Sequence, residues 1–375
     1  MDVRKGEGAL AFSLFLYQYF LLLTYYFLKP SRDSLFLVHV GFEQLTIAFV
    51  LVACLAVPVT VIYSKSARRL GLSQLINVTT AILIVSLLLL WWLLSLEQLW
   101  VYYVFYVWVS IFGVLSTSQF WFFANASMNP RQAKRLFGLL TLGGILGALT
   151  GGELSSLAVQ VLKVPTENLL FFCLAFLAIC IVSLNLASSA RGSDVEEPPD
   201  TESAEEQGRE TFALMLRTLF QSRQLTGIVA MLSLTMVVNT FVDVQFKAVS
   251  AEAFPEEADL TAFLGRFYGR LSLVSLLFQS LLTYRVLRVL GVGGSILFLP
   301  IGLLVASVGM FVAPVLWVGV LMRGIGGSFR YSIDKTGREL LFLPIPWRSG
   351  SVSRYSSTYW SIDGSVGWRV AFSGF

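Results

Sequence analysis

The sequence predicts an all-α polytopic membrane protein, and three observations carry that prediction. Of 375 residues, 56% are apolar and only 13% charged, where a water-soluble chain carries charge on roughly a quarter of its residues. The apolar residues fall into blocks of about 18 or more, and a helix rising 1.5 Å per residue needs about 20 to cross roughly 30 Å of hydrocarbon. One acid-rich stretch, 189–210, interrupts those blocks at mid-chain. A mean hydropathy of +0.73 agrees, and together these features exclude a soluble enzyme.

Taken in order, apolar runs bounded by charge predict spans near 9–28, 46–63, 76–95, 98–124, 137–160, 168–188, 225–246, 266–284, 292–312 and 314–332. The pairs 76–95/98–124 and 292–312/314–332 are joined so tightly that each must be a hairpin. Alternate short loops hold the basic residues: Arg4, Lys5; Lys65, Arg68, Arg69; Arg131, Lys134, Arg135; Arg285, Arg288; and Arg330, Lys335, Arg338. The other side holds Lys29, Arg32, Lys163 and Lys247 beside Glu252, Glu256, Glu257 and Asp259. The basic side should be cytoplasmic, which puts the N-terminus and the central linker inside a multi-pass protein of the inner (cytoplasmic) membrane. That scattered distribution explains the net charge of +4 as topology and gives no nucleic-acid surface.

Between the sixth and seventh spans, eight carboxylates crowd into 189–210, from Asp194 to Glu210. Such a segment buries too little apolar surface to offset its ordering entropy, so it should be a disordered tether. Just after it, Phe212, Met215, Leu216, Leu219 and Phe220 recur at helical spacing, the pattern of an interfacial helix or of an extension of the next span. The expected organisation is a six-helix bundle over 1–188, a linker over 189–224, a second bundle over 225–347 and a separate tail over 348–375. Basic residues followed by Leu-Gly recur at an offset of 220 residues (Gly71 to Gly291), and a span-ending lysine at 218 (Lys29 to Lys247). These offsets fit a parallel duplication of a six-helix unit, which resembles the major-facilitator transporters.

Polar groups inside apolar spans cost a few kcal/mol unless paired or hydrated, so they mark function. At the end of the first span, Lys29 and Arg32 share a helical face with Asp33 beside them if the helix continues past Pro30; otherwise they end the span as snorkelling interface residues. Arg266 and Arg270, one turn apart, could clamp an anion through their forks of donors, or anchor at the interface. Arg323, beside Gly324, Gly326 and Gly327, is a candidate buried cation facing substrate. Asp243 and Lys247 lie at i, i+4 and would pair. Glu153 is a candidate ion or proton partner, or half of a salt bridge. Gly143, Gly147 and Gly151 form a packing seam whose expected partner is the Gly265/Gly269 face. The basic loop residues Arg68, Arg69, Lys134, Arg135, Arg285, Arg288, Lys335 and Arg338 are candidates for a cytoplasmic gate.

One histidine, His39, and three cysteines, Cys54, Cys173 and Cys180, leave too few ligands for the usual metal sets, and no cofactor is expected. No phosphate loop, nucleophile elbow or dinucleotide fingerprint occurs.

Three stretches carry a family resemblance: Lys29-Pro-Ser-Arg-Asp-Ser-Leu-Phe-Leu37; Phe120-Trp-Phe-Phe-Ala-Asn125 with Gln132-Ala-Lys-Arg-Leu-Phe-Gly138; and Tyr331-Ser-Ile-Asp334-Lys335 through Pro344. From about residue 9 to 347 the chain resembles the ATP/ADP nucleotide transporters of plastids and obligate intracellular bacteria. The resemblance implies twelve helices of major-facilitator type, nucleotide binding, and ATP:ADP exchange by alternating access. It also implies a lysine within span two and a glutamate within span four, yet 47–63 and 99–126 carry no charge. The family pattern continues past Pro346 with further helices, whereas 348–375 holds eight serines and no run long enough to span. The expectation there is a frameshifted tail on a chain with about ten of twelve helices.

The sequence thus points to a transporter, not an enzyme, for a small anionic substrate such as ATP or ADP, with Lys29, Arg32, Arg270 and Arg323 as substrate contacts. Glu153, Asp243 and Lys247 are the ion, proton or salt-bridge partners. The alternatives are a membrane sensor or scaffold that has lost transport, favoured by the uncharged spans two and four, and an inactive truncated transporter.

Overall fold

A computed structural model describes residues 7–67, 71–190, 223–281, 288, 301–305, 307–311 and 315–329. Arg68, Arg69, Arg285, Lys335, Arg338, most of the linker with the expected interfacial helix, the tail 348–375 and the side chain of Lys134 lie outside the described residues. The protein is an all-α polytopic membrane protein, with no strand among the described residues.

The helices are α1 (Gly8–His39), α2 (Leu45–Ala67), α3 (Leu72–Leu94), α4 (Leu99–Ala126), α5 (Pro130–Gln160), α6 (Leu169–Ser189), α7 (Arg223–Ala253), α8 (Glu257–Leu281) and α9 (Leu316–Phe329). Residues 301–305 and 307–311 are also helical. Each of the first six elements contains a stretch long and apolar enough to cross a membrane. α7 carries Asp243 and Lys247 in its C-terminal half, and α8 carries Glu257, Asp259, Arg266 and Arg270.

α1 is the central element. It packs on α4, α5, α6 and α8, while α5 also packs on α8, α2 on α4, α3 on α6, and α9 on α7 and α8. Its inward side buries Leu14, Leu21, Phe27, Leu28 and Leu35, and Tyr17 meets Phe120 of α4 edge to face at 5.4 Å. Ile47, Val57 and Ile62 of α2 stay exposed, as expected of a helix with a lipid face, where tails are as apolar as the side chains. Cys173 and Cys180 are buried and Cys54 is exposed.

The first span does not end at 28. α1 continues through Pro30 to His39, because the polar groups that look like a terminus are met by tertiary partners. Pro30 removes one helical hydrogen bond. Nearby, Ser31 Oγ donates to the Phe27 carbonyl at 2.8 Å and Ser34 Oγ to the Ser31 carbonyl at 3.1 Å, the kind of hydroxyl support that tolerates proline in a membrane helix. Gly41, at φ +97°, then turns the chain toward α2, a backbone conformation costly for any residue with a side chain.

The glycine seam exists, with its partners divided differently from the expectation. Gly143, Gly147 and Gly151 press against Phe15, Tyr19 and Leu23 of α1; Gly152, on the adjacent face of α5, meets Gly265 and Gly269 of α8. α1 is the longer neighbour and takes the four-residue register, leaving only the offset glycine for α8. A Cβ on Gly152 would overlap the carbonyl oxygen of Gly265 and lie 2.9 Å from Gly269 Cα.

Candidate functional site

Polar residues of α1, α4, α7, α8 and α9 form one connected cluster around two carboxylates, Asp33 and Asp243. Asp33 is fully buried, and a buried carboxylate must be compensated by charge and hydrogen bonds. Arg32 approaches Asp33 Oδ1 through Nε at 2.9 Å and NH2 at 2.7 Å. Lys247 Nζ lies 3.1 Å from the same oxygen, and the Tyr268 hydroxyl donates to Oδ2 at 3.0 Å. The first partner is on the same helix; the other two come from α7 and α8.

Lys247, 1% exposed, has two further partners. Its Nζ lies 3.0 Å from Asp243 Oδ2 one turn earlier and donates to the Tyr106 hydroxyl of α4 at 3.0 Å. Tyr106 also receives the Arg32 guanidinium over its ring, 4.2 Å from the centroid, while Arg32 NH1 donates to Ser110 Oγ at 2.8 Å. Arg323 of α9 completes the chain of charges, with NH2 2.8 Å from Asp243 Oδ1 and NH1 donating to Asn239 Oδ1 at 3.3 Å. Lys29 differs from the others. Its Nζ sits 3.9 Å over the Tyr268 ring and 6.0 Å from the rings of Tyr25 and Tyr26, and among the described residues no carboxylate lies within salt-bridge distance of it. It feels the charges of Arg32, Asp33, Asp243 and Arg323 from farther off.

Among the described residues, four cations thus surround two carboxylates, a formal surplus of two positive charges. Where these groups are buried, an anion is held more strongly than at a hydrated surface. The pairing of Asp243 with Lys247 takes the form the i, i+4 spacing predicts, and Lys29 and Lys247, separated by the 218-residue offset in the sequence, both belong to the cluster.

Arg270 and Glu153 lie elsewhere. They bind each other, Arg270 Nε 2.6 Å from Glu153 Oε1, with the arginine side chain 64% exposed. Tyr268 and Arg270 are two positions apart, which puts them about 200° apart around a helix of 3.6 residues per turn; one faces the cluster and the other faces out. Arg266 donates to Gln160. Of the loop cations, Arg135 pairs with Glu7 at 2.9 Å, at the α5 start built by Pro130 and the Asn129/Gln132 capping box, and Arg288 is exposed.

Sequence reasoning missed Tyr106, Ser110, Asn239 and Tyr268. They are uncharged residues inside apolar runs and give no local signal.

The comparisons with known proteins bear on this arrangement. Residues 76–331 match the model of the TLC ATP/ADP transporter family. The chain belongs to that family. No curated protein matches the sequence. Among solved structures, it is similar to a POT family transporter crystallised with a thioalcohol-conjugated peptide, at 13% identity, covering 97% of this chain and 88% of that one with a TM-score of 0.57. At that identity the likeness concerns the fold. Family and fold together make this member of the TLC family a membrane transporter, and its buried charge cluster lies where α1 meets the helices that follow the linker.

Proposed function

We propose that this TLC-family protein exchanges an organic anion, with ATP and ADP as the class to try first, across the inner membrane by alternating access. Residues 1–188 and 225–347 act as two units that rock about the charge cluster, with the N-terminus and linker on the cytoplasmic side as the basic loops suggest. The observation that carries the reading is the imbalance of four buried cations, Lys29, Arg32, Lys247 and Arg323, against Asp33 and Asp243. Burying unmatched positive charge is costly in a membrane unless an anion completes it. Lys29, with no carboxylate in reach among the described residues, is the first contact for that anion, and Arg32, Lys247 and Arg323 are the further ones. Arg270 and Glu153 are assigned to inter-helix pairing instead of substrate contact.

The test is counter-exchange in proteoliposomes containing the full chain and preloaded with ATP, ADP or another organic anion. Labelled nucleotide should accumulate only in preloaded vesicles. No uptake of any anion under any preload would overturn the reading. Anion binding without uptake would instead favour a sensor, the reading supported by the uncharged segments 47–63 and 99–126.

A further inference from the structure

We infer that Asp33 is a tethered counter-anion that the transported anion must displace from Lys247, so that filling the cluster and releasing α1 from α7 and α8 become one event. The inference rests on the anion-exchange reading above and adds to it how the site is coupled to movement.

A lysine ammonium has three N–H groups, and Lys247 Nζ already has three partners within hydrogen-bond distance: Asp33 Oδ1, Asp243 Oδ2 and the Tyr106 hydroxyl. An anion that reaches Lys247 must therefore take the place of one of them. Losing Asp243 separates nothing, because it sits one turn away on the same helix and keeps Arg323 at 2.8 Å. Asp33 is different on both counts. It retains Arg32, which approaches it through two nitrogens, so its charge stays compensated, and it is the charged partner that joins α7 to another helix, the Tyr106 hydroxyl of α4 being neutral.

Position supports the same conclusion. The contacts around Asp33 bring together the C-terminal part of α1 and the N-terminal part of α8: Asp33 with Tyr268, Ser34 with Thr261, and His39 with Glu257 at 3.8 Å. Tyr268 links the two events, since its hydroxyl holds Asp33 while its ring carries Lys29, the cation of the cluster with no carboxylate of its own among the described residues. An anion drawn to Lys29 arrives beside the Tyr268–Asp33 contact. The excess of cations over carboxylates among the described residues favours an anion rich in charge, the chemistry of a phosphoryl group. A neutral nucleoside has nothing with which to compete against a carboxylate.

The measurement is disulfide formation between Ser34→Cys and Thr261→Cys in the full chain with Cys54→Ser, reconstituted in lipid; Cys173 and Cys180 are buried. Without added anion the parent pair should cross-link readily. ATP or ADP should slow the reaction and adenosine should not. Asp33→Asn should slow it about tenfold or more without any anion, since it removes the buried charge pair that joins α1 to α7. The exchange Asp33→Lys with Lys247→Asp should restore it. If the Asn variant fails to accumulate, Lys247→Gln makes the same test from the other side. Cross-linking of Asp33→Asn at the parental rate would overturn the role of Asp33 whatever the substrate. Slowing in that variant, combined with no effect of ATP, ADP or inorganic phosphate on the parent, would overturn displacement by an anion while leaving the hold of Asp33 on Lys247 in place.

Discussion

Asp33 and Lys247, 214 positions apart in the chain, meet at 3.1 Å with the carboxylate fully buried and the ammonium 1% exposed. Each has a second partner of opposite charge, Arg32 for Asp33 at 2.7 Å and Asp243 for Lys247 at 3.0 Å, so the pair can part without leaving either charge alone.

Lys247→Met should lower the apparent Tm in detergent, by less than the cost of about 3–5 kcal/mol for removing one partner of an isolated buried pair, because Asp33 keeps Arg32 and Asp243 keeps Arg323. Adding Asp33→Asn should recover part of the loss, because the neutral amide no longer needs a cation. A double variant no more stable than Lys247→Met would show that the two side chains are not coupled.

Lys29→Gln should separate folding from function. With a cation–π contact as its main interaction, Lys29 contributes about 2 kcal/mol or less to stability, so the apparent Tm should move little. Anion uptake should fall sharply, since the cluster loses one of its two surplus charges. Uptake at the parental level would remove Lys29 from the site.

Tyr268→Phe keeps the ring beneath Lys29 and deletes the hydroxyl that donates to Asp33 at 3.0 Å. The expected cost is about 1.5–3 kcal/mol, the range for a hydrogen bond to a charged group, read as a drop in apparent Tm. Tyr268→Leu should lose that and also weaken anion binding in a titration, because Lys29 then loses its nearest ring and keeps only Tyr25 and Tyr26 at 6.0 Å.

Arg270→Gln should cost about 0–1 kcal/mol, as expected of an exposed ion pair, and leave exchange close to the parental rate. A loss of exchange as large as that of Lys29→Gln, at unchanged Tm, would bring Arg270 back into the anion path.

Gly152→Ala should reduce the yield of folded protein, because the new methyl meets backbone of α8 on every side, and overpacking costs about 1–3 kcal/mol or more where nothing can give way. Gly138→Ala on the same helix, where no atom lies within 4 Å of the added carbon, is the control and should express normally.

The first six helices were legible because each is a hydropathic block interrupted only at its ends, and the observed α2 to α6 begin and end within a few residues of the blocks, apart from the longer starts of α3 and α5. The continuation of α1 was not. Lys29-Pro30-Ser31-Arg32-Asp33 carries every local sign of a terminus, and what keeps it helical is a lysine on α7 and a tyrosine on α8, more than 200 positions away. The charged members of the site could be found because charge in an apolar span is rare. Tyr106 and Tyr268 could not, because an aromatic residue in such a span looks the same whether it packs or donates. Arg270 was misleading for a related reason: the sequence shows that a cation lies in a span but not which way the helix is turned.

The contact between Gly152 and Gly265 also restricts how this sequence can drift. When a new side chain collides with another side chain, a second substitution can relieve it. Here the obstacle is a carbonyl oxygen and a Cα that every residue possesses, so no change of amino acid at the facing position makes room. Position 152 can vary only if the two helices first move apart, and a lineage that keeps α5 against α8 at this distance has one residue available there.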